Sequence, residues 1–161
     1  MRGMFKSLMD LFDTLAPDDA FGRSRGGTPS LPLSAAVLLV EVMRADADFS
    51  DLERGAVRRA LTALFSLSDE EADALTAQAE RTARTASDLF AFTSPIDERW
   101  AMPEKLRLVE LMWSVAYADG KLGDIERHTM WRIADLLHIP QGAYVHTRLR
   151  AKAAAGLGDE D

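Results

Sequence analysis

Apolar residues recur at three- and four-residue intervals along most of the chain, and no run of strict alternation bounded by turn residues interrupts them. Helices are therefore predicted over 33–46, 50–65, 68–84, 86–93, 103–118, 123–137 and 140–154, and the fold class is all-α. Ser68 followed by Glu71 has the spacing of a capping box, in which each residue satisfies the other's backbone amide. Pro103 suits a first helical turn, where its missing N–H costs no bond. Pro95 and Gly120 read as breaks. Met4, Leu8, Leu11, Phe12 and Leu15 also keep helical spacing, so residues 3–16 form a predicted amphipathic helix that stops before Pro17. Residues 22–32, GRSRGGTPSLP, have the composition of a flexible linker. The organisation expected is an N-terminal amphipathic helix and linker over 1–29, a helical domain over 30–155, and an acidic tail over 156–161.

The pattern repeats. A shift of 73 residues lays 33–65 over 106–138 without a gap, and ten of the 33 positions are identical. Unrelated globular sequences share roughly two or three in such a window, so the segment is a duplicated supersecondary unit. Five identities are apolar or small: Leu33/Leu106, Leu38/Leu111, Val42/Val115, Ala45/Ala118 and Leu64/Leu137. They mark the buried stripe of two helices joined by a turn, and Phe49/Leu122 with Leu52/Ile125 extend it. The other five are charged: Asp46/Asp119, Asp51/Asp124, Glu53/Glu126, Arg54/Arg127 and Arg59/Arg132. Each unit thus reads as a helix, a tight turn and a helix, with an Asp at the end of the first helix and a Glu in the first turn of the second.

Seven residues apart, Asp119 and Glu126 flank a reversal at Gly120 to Gly123, where their carboxylates can converge. In the first copy Asp46, Asp48, Asp51 and Glu53 crowd one short stretch, and like charges that close repel unless a cation sits among them. Oxygen donors alone favour a hard ion such as Ca²⁺, Mg²⁺ or Mn²⁺. The spacing matches no twelve-residue calcium loop. Asp51 and Asp124 also suit helix N-caps, and Glu53 and Glu126 complement the helix dipole, so capping alone accounts for those four. It leaves Asp46 and Asp119 unexplained, because a negative charge at a helix C-terminus is unfavourable.

Composition narrows the functions. With no cysteine among 161 residues, disulfides, thiolate zinc sites and thiol nucleophiles are excluded. The longest apolar run, Ala35 to Val40, is far short of the ~20 residues that cross a bilayer, and no signal-peptide core appears. A soluble, cytoplasmic protein is expected. A net charge of −7 opposes nucleic-acid binding. No nucleophile elbow or phosphate-binding loop occurs, so no enzymatic activity is expected. His128, His138 and His146 lack the spacing of a zinc-binding helix pair and read as surface or packing residues. Trp113 and Trp131 are candidates for the core, one or both. Arg148, Arg150 and Lys152 read as a solvated helix face.

The stretch WSVAYADGKLGDIER at 113–127, followed by IADLLHI at 133–139, resembles the signature of the tellurite-resistance TerB-like family. The resemblance covers roughly 33–150, with Asp48, Phe49 and Ser50 making the first copy less typical. It implies a compact bundle of about seven helices and metal chelation by paired acidic residues in both copies. Carried over position by position, it points to Asp46, Glu53, Asp119 and Glu126. It also implies a non-enzymatic role in tellurite resistance or stress response, with membrane-associated or calcium-binding partners. Two functions compete: a module that binds a divalent cation and displays a surface to a protein partner, and a metal-free structural adaptor. The adaptor would dock through its acidic loops, and its N-terminal helix would contact another protein or lie peripherally on a membrane.

Overall fold

Ser30 opens the domain: its hydroxyl accepts from Leu33 N at 3.3 Å, and Pro32 follows inside the first turn of α1 (Leu31–Arg44). The computed structural model describes residues 28–45, 50–120 and 122–157. The predicted helix over 3–16, the linker before Thr28, Asp46, Asp48, Phe49 and most of the acidic tail lie outside the described residues. After α1 come α2 (Asp51–Phe65), α3 (Asp69–Thr85), α4 (Phe90–Arg99), α5 (Met102–Ala116), α6 (Asp124–Leu136) and α7 (Gln141–Ala154). The described residues contain seven helices and no strand, as predicted.

The capping box at Ser68 and Glu71 forms as expected, with bonds of 2.8 and 3.1 Å. One helix is displaced from its predicted position. The segment predicted as 86–93 is α4, and it runs to Arg99 with Pro95 inside it. Ala86 is extended at ψ 135° and Asp88 Oδ1 accepts from Phe90 N at 2.8 Å, so the chain leaves α3 and restarts only after Asp88. Pro95 does not break α4. Its ring is buried with Phe92 and Ile96, and this packing outweighs the bond its nitrogen cannot make.

Every residue of α1 from Leu33 to Val40 is buried, so this helix must be covered on all sides. α2, α3, α4, α5 and α6 all pack against it. The duplicated hairpins are α1–α2 and α5–α6, and they exchange partners. α1 packs on α5, α2 packs on α5 as well as on α1, and α6 packs on α1 as well as on α5. That reciprocal pattern is the one a pseudo-two-fold relation between the copies demands. A single core results, drawing on all seven helices; in it Trp113 is stacked on Tyr117 at a ring separation of 5.9 Å and tilted against Tyr144 at 5.5 Å.

Several expectations are refined by the packing. Trp113 is buried, whereas Trp131 is 55% exposed and stacks on His128. Leu122 packs against the core, but Leu52 and Ile125 do not extend the stripe: they are 61% and 68% exposed. Each is the second residue of its helix, one position before an inward-turned glutamate, and neighbours in a helix point about 100° apart. The basic cluster is not a solvated face either. Arg150 is exposed, but Lys152 is buried, and Arg148 lies 5.4 Å over the Trp113 ring and donates to Tyr117 Oη at 2.8 Å.

A polar tie joins α4, α5 and the end of α6. The buried Lys105 ammonium donates to Asp97 Oδ1 and to Leu137 O, and His138 Nδ1 lies 3.0 Å from Asp97 Oδ2. The hydrogen bond from Lys105 holds the Asp97 carboxyl below its ordinary value of 3.8, with His138 assisting against partial burial.

Because the folded pKa of Asp97 lies below the unfolded one, its contribution is complete above about pH 4 and disappears as pH falls through the lower folded value. Denaturant titrations between pH 6 and pH 2 should show a steeper acid loss of stability in the wild type than in Asp97→Asn. The core closes within residues 28–157, so deletion of residues 1–28 should preserve helicity per residue and a single cooperative melt by circular dichroism.

Candidate functional site at the duplicated acidic turns

The second hairpin turns at Tyr117–Gly120, where Gly120 N donates to Tyr117 O at 2.9 Å. Gly120 has φ +81°, the left-handed region that glycine enters without a Cβ penalty. Asp119 precedes it, half-buried, three residues beyond the end of α5. The chain then reaches Gly123, the residue before α6, and Glu126 folds back so that its Oε1 accepts from Gly123 N at 2.8 Å. The first copy repeats the arrangement: Glu53 Oε1 accepts from Ser50 N at 3.0 Å. Ser50 completes the cap from its own side, accepting from Leu52 N at 3.2 Å, which Gly123 has no side chain to do.

Both glutamates are buried, at 0% and 3% exposure, as the third residue of their helices. A carboxylate removed from water needs compensation, and the amide plus the positive end of the helix supply part of it. Asp51 and Asp124 are not the N-caps. Ser50 and Gly123, one residue earlier, adopt the extended backbone that a cap requires, and the two aspartates are exposed first helical residues.

Of the predicted ligands, Asp119 lies in the turn after α5 and Glu126 in the first turn of α6. Glu53 takes the equivalent place in the first turn of α2, and Asp46 lies outside the described residues. Among the described residues, no three His, Asp or Glu side chains gather closely enough to hold a metal ion. The donor chemistry still suits a hard cation. Carboxylates and turn carbonyls are the oxygen ligands such ions take, and an ion held by only one or two carboxylates completes its shell with water. None of the three histidines joins these turns: His138 meets Asp97, His128 meets Trp131, and His146 lies on α7.

Tertiary packing adds residues that sequence reasoning did not place at the acidic turns. A cleft of about 510 Å³ beside Asp119 and Gly120 is lined by Leu52 and Arg59, so the second helix of one copy borders the acidic turn of the other. Arg59 is duplicated as Arg132, and that identity was the available signal. A further pocket of about 340 Å³ is lined by Gly120 together with Arg127, Arg148 and Lys152. Basic side chains therefore line both of these cavities, which Gly120 borders.

Two helical hairpins that exchange packing partners, each with a buried glutamate clasping the start of its second helix, define an internally duplicated all-α module. Residues 32–149 match the family model for Tellurite resistance protein TerB. The chain belongs to that family. No curated protein and no solved structure matches it.

The glutamates' structural and charge roles separate by substitution. Glu53→Ala or Glu126→Ala should cost about 1–3 kcal/mol in urea unfolding, because a cap amide loses its acceptor. Glu126→Gln, which keeps an oxygen for Gly123 N, should lie much nearer the wild type.

Proposed function

We propose that this chain is a non-enzymatic module of the tellurite resistance protein TerB family that binds a divalent cation at its acidic turns and presents the neighbouring surface to a protein partner. The ligands are Asp119 and Glu126 in the second turn, and Asp46 and Glu53 in the first. The observation that carries this reading is the equivalence of the two glutamates. Both are buried at the third position of a helix that follows a duplicated Asp in sequence, and both accept from the backbone amide of the residue before that helix. Such a cation would add positive charge beside these carboxylates and would fix the turn between α5 and α6. Leu52 and Ile125, exposed beside the same turns in both copies, supply apolar contact for a partner. This role belongs to tellurite resistance or stress response.

The metal-free adaptor is supported by a separate observation: Arg59 of one copy already borders the turn of the other, so protein cations supply some counter-charge. In that reading the acidic turns and exposed apolar residues bind a basic partner directly.

Thermal melting decides between them. At about 100 times its dissociation constant, a cation that binds only the native state stabilises by roughly 2.7 kcal/mol, or on the order of 5–10 °C for a domain of this size. The wild type in millimolar Ca²⁺, Mg²⁺ or Mn²⁺ should melt higher than in excess chelator by about that much, and Asp119→Asn and Glu126→Gln should lose most of the shift. Equal melting temperatures with and without every ion would defeat the cation reading and leave the adaptor.

A further inference from the structure

One pair of duplicated arginines, Arg54 and Arg127, meets opposite surroundings in the two copies. In the first, the Arg54 guanidinium pairs with Glu80 of α3 at 2.8 Å. α3 packs on α1 as α7 packs on α5, so the two helices hold equivalent places against the two copies. The 73-residue offset that relates the hairpins lays Glu80 on Ala153, Leu75 on Arg148 and Ala79 on Lys152. Where α3 brings a carboxylate and two buried apolar residues, α7 brings two cations and, along its whole length, no carboxylate.

The consequence is the pocket of about 340 Å³ lined by Arg127, Arg148 and Lys152. Tyr117, Leu122 and Leu157 border it too, and no Asp or Glu among the described residues does. Lys152 is buried, and Arg148 Nε donates to Tyr117 Oη at 2.8 Å. Arg127 Nε is buried as well and has no hydrogen-bond acceptor. A buried donor left unpaired is rare and costly, and its duplicate in the first copy belongs to a side chain that an acid neutralises. In a chain of net charge −7, three cations about one cavity are a local reversal of sign.

The chemistry of the walls defines the ligand. Three cations exceed the single charge of a carboxylate, whereas a phosphate dianion brings two charges and three acceptor oxygens that guanidinium forks match. The volume lies near the lower end of small-molecule sites, which span about 300–1,000 Å³. Beyond the phosphate there is room for a small organic group, to which Leu122 and Leu157 offer an apolar side.

We propose that this pocket binds a doubly charged phosphate group, free or as the monoester of a small organic molecule, held by Arg127, Arg148 and Lys152 in the place where the first copy uses Glu80. The site goes beyond the cation reading and does not rest on it, because its ligand has the opposite charge and is tested on metal-free protein.

Nuclear magnetic resonance titration of the full-length chain at fixed ionic strength tests it. Inorganic phosphate should move the Arg127 Nε–Hε signal and the amides of Gly120 and Leu122 saturably, and acetate at the same concentrations should not. Phenyl phosphate binding tighter than inorganic phosphate would support the site as one for monoesters, and the reverse order as one for the free ion. Arg127→Gln should weaken binding by about tenfold or more, as loss of a charged hydrogen bond does. Ala153→Glu plants on α7 the carboxylate that α3 carries, at an exposed position, and should weaken binding as much; it keeps the test open if Arg127→Gln does not fold. Arg99→Gln, exposed on α4, should change nothing. The proposal is overturned if the wild type shows no saturable shift, if acetate binds as tightly as phosphate, or if Arg99→Gln weakens binding as much as Arg127→Gln. It is overturned equally by affinity unchanged in both Arg127→Gln and Ala153→Glu, or by binding that appears only once residues 158–161 are removed.

Discussion

Everything in this molecule follows from the burial of α1. An unbroken run from Leu33 to Val40 leaves that helix no face for water, so it is stable only when surrounded. Five helices surround it, and the exchange of partners between the duplicated hairpins is how a chain with two copies of one motif supplies that cover. α5, the equivalent helix, tolerates partial exposure because Arg107 and Glu110 stand where α1 has Ser34 and Val37. The two equivalent helices thus differ in cover: α1 is buried on every side, and α5 on one face.

The acidic turns are positioned by the same packing. Glu53 and Glu126 turn inward because each closes the start of a helix whose next turns must face the core, and this brings a carboxylate into a dry place twice over. The pair of hairpins then places Leu52 and Arg59 of the first copy beside Asp119 of the second. An acidic turn bordered by arginine, with an exposed aliphatic side chain at its edge, has electrostatic and apolar means of recognition within one small area. A bound cation and a bound partner would act on the same turn, so ion occupancy would change the charge the partner meets.

Much of this was legible in the sequence. The 3.6-residue periodicity, Ser68 with Glu71 and the 73-residue identity pattern determined an all-α chain with a duplicated hairpin, because helix periodicity and capping are local properties that the next few residues settle. Gly120 as a turn residue and Glu126 at a helix start were visible for the same reason, because each depends only on its near neighbours in sequence. Tertiary structure alone decided the rest. Pro95 lies within α4 because burial outweighs a local break, and Lys152 is inside although its charge reads as surface. Trp113 is buried and Trp131 exposed, a choice set by which face of each helix meets a neighbour. The placement of Arg59 and Leu52 beside Asp119 depends on contacts about 60 residues apart in the chain, and no local pattern encodes which of two similar hairpins will face the other's turn.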